Sequence, residues 1–163
     1  MRCFMQPYQV FKHIVLAKFL EILEQQNRLQ ELRKDAAFLE QMHRIDSINS
    51  ENIEDIYEYF ASDYNDELLD ARNEVLSGQV DTGISCAGSR HYDTKSVAAM
   101  SPYGKWIGWT VFSGGGKHGE PFGETLDNLN CYHLEVDYKV ETVQILQFRL
   151  PEENTTKEEN NGN

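Results

Sequence analysis

The chain has 163 residues, of which 40% are hydrophobic and 26% charged, and it carries a net charge of −12; these totals fit one domain built around one core. Its 2 Trp, 8 Tyr and 8 Phe exclude a wholly disordered chain. The surplus of carboxylates repels nucleic-acid phosphates and anionic membrane surfaces, so neither direct nucleic-acid binding nor membrane association is expected.

The elements follow in chain order. Near the start, the apolar stretch from Phe11 to Leu23 is interrupted by Lys12, His13, Lys18 and Glu21 and is followed by no small-residue cleavage site, so neither a signal peptide nor a membrane span is expected there. From Pro7 to Ile45 there is no Gly and no further Pro, and Val15, Phe19, Ile22, Leu29, Leu32, Ala36 and Leu39 recur at three- and four-residue steps. That spacing predicts an amphipathic helix, either continuous or broken where Gln25, Gln26 and Asn27 dilute the stripe. A continuous helix would favour a homo-oligomer assembled through it, as in a self-assembling structural protein.

Asn49 or Ser50 can cap a second helix from Glu51 to Ala61, with Ile53, Ile56, Tyr57 and Phe60 on its apolar face. Its other face gathers Glu51, Glu54, Asp55 and Glu58 into an acidic stripe, a candidate surface for a basic protein partner, in imitation of phosphates. Asp63 can cap a third helix ending near Leu76, with Gly78 placed to stop it. Asp63, Asn65, Glu67 and Glu74 match part of a calcium-loop pattern, but Leu68 stands where that loop needs glycine, so no such site is expected.

Beyond Gly78 the composition turns to Gly, Ser, Thr and β-branched residues, and strands are expected over His91–Met100, Lys105–Ser113, Cys131–Val136 and Val140–Leu150. Pro102-Tyr103-Gly104 and Asp137-Tyr138-Lys139 supply the connections of an antiparallel sheet. The predicted class is therefore α+β: helical over 7–77, mainly β over 83–150, a single domain over 1–150, then a disordered acidic tail over 151–163. The strand at 105–113 is apolar on both faces and is expected at the centre of the sheet, with helices covering one side.

Ser113-Gly114-Gly115-Gly116-Lys117-His118-Gly119 is a candidate anion-binding loop, because consecutive glycines let backbone N–H groups approach an anion and Lys117 adds charge. It is not a P-loop, since Val111 and His118 stand where that motif needs glycine and a hydroxyl. Arg90, His91, Tyr92, Lys105 and Trp109 complete the candidate ligand set. Ser89, His91 and Asp93 are too close in sequence for a catalytic triad, and no other complete catalytic constellation is visible. Cys3, Cys86 and Cys131 are odd in number and unpatterned, as in a reduced cytoplasmic protein, and no Cys-x-x-Cys pair points to a metal or another cofactor.

The blocks DTGISCAGSRHYDTKSVA and GKWIGWTVFSGGGKHGEP, over 81–121, resemble a poorly characterised family of small bacteriophage and prophage proteins. In that family a Ser-Arg-His-Tyr segment precedes a Gly-Lys-Trp strand and a Gly-Gly-Gly-Lys-His-Gly loop; ELRKDAAFLEQMHRID adds a weaker likeness. The resemblance implies a setting, the cytoplasm of a bacterial host, and no activity. Together these features predict a non-enzymatic accessory protein that binds a host or phage protein; the alternative is a binder of, or enzyme acting on, a phosphate- or nucleotide-like ligand.

Overall fold

A computed structural model describes residues 4–86, 90, 92–114 and 129–142. Five helices, α1 (Pro7–Gln25), α2 (Leu29–Leu32), α3 (Ala36–Ile45), α4 (Ile53–Asp63) and α5 (Asn65–Leu76), precede four strands: β1 (Val80–Asp81), β2 (Asp93–Met100), β3 (Trp106–Ser113) and β4 (Tyr132–Leu134). The fold class is α+β, as the composition shift at Gly78 predicts.

The long amphipathic segment is broken. Pro7 starts α1, where the first N–H groups have no helical partner, and the Gln9 side chain accepts from the Gln6 N–H at 2.9 Å. The helix stops at Gln25 because Asn27 turns left-handed, at φ 57°, a conformation asparagine tolerates. Asp35 then caps α3, accepting from the N–H groups of Ala37 and Phe38 at 2.8 and 3.0 Å. Glu51 lies ahead of α4, in a turn closed by the Asn49 side chain, which accepts from its N–H at 2.8 Å; the helix proper begins at Ile53.

α1 is the centre of the fold. Val10, Phe11, Ile14, Val15, Leu16, Phe19 and Leu23 are buried around much of its circumference, with helices on one side and the sheet on the other. Its apolar surface is taken up within the chain, and this removes the basis for an oligomer seam along it. Phe19, Phe38, Phe60 and Tyr64 pack ring against ring on the helical side, and Phe11 meets Trp109 edge-on at 5.2 Å on the sheet side.

The sheet is antiparallel throughout, in the order β1-β2-β3-β4. β3 is interior, as its two apolar faces predict. The face carrying Val97, Ala99, Ile107 and Trp109 joins the core. On the opposite face Tyr132 lies across Gly108, where an added Cβ would stand 2.8 Å from the tyrosine ring. Its hydroxyl shares a 2.6 Å hydrogen bond with Ser96 Oγ, which receives another from Thr82 Oγ1 at 2.8 Å.

Three strand expectations need correction. β1 is a strand the sequence pattern does not announce: Gly78, at φ 76°, reverses the chain so that the Gln79 N–H reaches the Ala98 carbonyl at 2.8 Å. β4 is shorter than the expected 131–136, and Val140 to Thr142 are in no strand. The rest of the strand expected over 140–150, and the tail over 151–163, lie outside the described residues.

Candidate functional site

The candidate ligand set does not converge among the described residues. Trp109 is fully buried, its indole N–H donating to the Leu76 carbonyl at 3.0 Å, so it is a core residue with no face for a ligand. Lys105 precedes β3 and Gly114 follows it, which separates them by about 25–30 Å at ~3.3 Å per residue. Arg90 is exposed, and Tyr92 packs on Phe112 at 6.3 Å. Gly114 takes the positive φ of 76° that its glycine permits. His91, Gly115, Gly116, Lys117 and His118 lie outside the described residues.

The acidic stripe is not one surface. Glu54 pairs with Lys12, whose ammonium lies over the rings of Tyr57 and Tyr8 at 5.2 and 5.7 Å. Burial beside this pair pushes the Tyr57 hydroxyl up to about 12, so it stays protonated. Asp55 faces Arg44 at 3.9 Å. Glu51 and Glu58 are exposed and have no ion pair among the described residues.

A different feature stands out: an apolar cleft of about 1050 Å³ between the start of α1, the loop before α4, the β2–β3 turn and β4. Phe4, Met5 and Val10 form one wall, Ile48 to Glu51 the second, Met100 and Tyr103 to Trp106 the third, and His133 to Val136 with Tyr138 the fourth. Local bonding fixes these walls. Gln9 Nε2 donates to the Ser50 carbonyl at 3.1 Å, holding the loop against α1. The Asn52 side chain accepts from the Asn49 N–H at 2.8 Å, shaping the loop. The Lys105 N–H donates to Ser101 Oγ at 3.1 Å and the Ser101 N–H to the Lys105 carbonyl at 2.8 Å, closing the β2–β3 turn.

Tyr103 reaches from that turn to the helical layer, donating to the Asp46 carbonyl at 3.4 Å and packing on the buried His13 ring at 4.7 Å. Apolar side chains are left open to solvent here: Phe4 is 80% exposed and Tyr138 89%, with Met100, Tyr103 and Val136 each close to half. Sequence periodicity cannot find such a site, because its walls come from turns and element ends. The one signal available was apolar residues outside any periodic run, Phe4, Met5, Tyr103, Val136 and Tyr138.

A second hollow, of about 480 Å³, lies between α1, the end of α5 and the β2–β3 turn. Lys18 at its edge is already held by Glu21 and Glu74, at 3.1 and 2.7 Å, which raises its pKa. Burial pushes the Cys131 thiol up to about 12, leaving it a thiol rather than a thiolate. Among the described residues no three His, Cys, Asp or Glu side chains come together to hold a metal ion, and no described helix is long and apolar enough to cross a membrane. Family models, curated proteins and solved structures offer no match to this chain.

Proposed function

We propose that this chain is a non-enzymatic accessory protein that binds a protein partner in the apolar cleft beside β4. The observation that carries this reading is the exposure of Phe4, Met100, Tyr103, Val136 and Tyr138 around one concavity. Contiguous apolar surface open to water is costly, and in soluble proteins it marks an interaction site. At about 1050 Å³ the cleft is at the upper limit of the roughly 300–1,000 Å³ typical of small-molecule pockets, and its walls offer few convergent polar groups. The phage-type resemblance supplies a setting in which the partner is a host or phage protein.

This reading moves the working surface from the acidic stripe to the cleft, because Glu54 and Asp55 are engaged by the chain's own cations. Selection of a displayed peptide library on the intact protein, beside a Phe4→Asp, Val136→Asp variant, tests it. Apolar peptides are expected to be enriched on the intact protein and lost on the variant, with thermal melting unchanged because both side chains are largely exposed. Enrichment that is absent, or equal on both proteins, would overturn the reading.

A further inference from the structure

Building on the cleft as the binding surface, we infer that its occupant is an extended segment of another protein, apolar at alternate positions and basic at its ends, that adds a strand to the free edge of β4. His133, Leu134, Glu135 and Val136 all line the cleft although they are consecutive. Side chains of successive residues in a strand point to opposite faces, so a cavity on one face of the sheet would meet only every second one. The cleft therefore runs along the edge of the strand and past its end.

That edge is open among the described residues. β4 pairs with β3 through Tyr132, His133 and Leu134, and no described strand lies on its other side. An edge strand presents unpaired N–H and C=O groups that template a further strand, and here the template borders apolar walls. A peptide laid along it gains main-chain hydrogen bonds from the edge and burial of its alternate side chains. A helix satisfies its backbone internally and would leave the edge unpaired.

Charge selects among strands. Glu51 and Glu135 line the cleft without an ion pair among the described residues, against Lys105 as the one Lys or Arg of the lining. Residues 51–80 add an acidic block in which Arg72 is the only Lys or Arg. A second copy of this chain would bring another −12 to the interface, which disfavours self-pairing, whereas lysines flanking an apolar core are attracted.

The test uses the full chain and a short synthetic peptide alternating valine and threonine between terminal lysines. Saturable binding is expected, with slowed amide hydrogen exchange across 132–136. N-methylation at alternate positions of one parity should weaken binding by about tenfold or more, the other parity leaving it intact, because alternate N–H groups of a strand face the edge. Glu51→Gln with Glu135→Gln should weaken binding and flatten its salt dependence. Binding insensitive to N-methylation, with no protection at 132–136, overturns the strand mode while leaving the cleft as a binding surface. Binding only after Ile145→Asp with Phe148→Asp makes the chain's own 143–150 the occupant and overturns the proposal. Absence of binding by every form overturns it as well, while enrichment from the displayed library still decides the cleft separately.

Discussion

The indole nitrogen of Trp109 donates to the carbonyl oxygen of Leu76 across 3.0 Å, joining the centre of the sheet to the last turn of α5. Carbonyls at a helix C-terminus lack helical partners, and an indole buried without an acceptor is costly, so one bond satisfies both groups. Trp109→Phe is expected to destabilise by roughly 1–3 kcal/mol for the orphaned carbonyl, plus a cavity contribution. Urea unfolding should show a lower midpoint at an unchanged slope.

A pH dependence follows from His13. It is buried, its Nδ1 has no hydrogen-bond partner, and burial lowers its pKa from 6.5 to about 4. The unfolded chain takes up a proton near 6.5 while the folded chain resists until about 4, so stability is lost as pH falls through that window. The loss is on the order of 3 kcal/mol at most, at ~1.4 kcal/mol per unit. His13→Leu is expected to flatten the change between pH 7 and 4.5 and to match or raise stability at pH 7, where the orphaned nitrogen is a cost. Chemical denaturation at the two pH values checks both statements; a wild-type curve that does not fall between them contradicts the argument.

Gly108 is needed because Tyr132 and Leu134 occupy the space of its side chain, at 2.8 and 2.9 Å from an added Cβ. Gly108→Ala is expected to cost roughly 1–3 kcal/mol through overpacking on an interior strand. Tyr132→Ala should relieve part of that penalty at the price of the Ser96 hydrogen bond, so the double variant will be more stable than the sum of the singles predicts. Thermal melts of the four proteins form the cycle that measures the coupling.

Local signals in the sequence give the helix break at Gln25–Asn27, the apolar face of α4 and the hairpin at Pro102-Tyr103-Gly104, because each depends on residues within a turn or two of one another. β1 is two residues long and exists through its pairing with Val97 and Ala98, so no run of its own announces it. Alternation along β3 separates Trp109 from Trp106 correctly but does not say which face the helices cover, and this turned a core tryptophan into a ligand candidate. The cleft was not legible because four separate stretches of chain supply its walls. Lys12 and Glu54 lie 42 residues apart, beyond the reach of helical periodicity, which saw four equivalent carboxylates.

Those four carboxylates should separate in a mutational series. Lys12 is largely buried, and Glu54 supplies its anionic partner. Glu54→Gln would leave an ammonium between two tyrosine rings without a compensating charge, and a loss of roughly 1–2 kcal/mol is expected, moderated because Glu54 itself is partly exposed. Glu58 has no ion pair among the described residues and stands in solvent, so Glu58→Gln should change stability by less than ~0.5 kcal/mol. Asp55→Asn, at 3.9 Å from Arg44 and well exposed, belongs with Glu58. A further substitution of Lys12 by Met should rescue Glu54→Gln, because it removes the unpaired charge and keeps the apolar stem. Equal destabilisation by Glu54→Gln and Glu58→Gln in urea melts would show that the Lys12 pairing carries no energy, and the acidic stripe would again be a single solvated face.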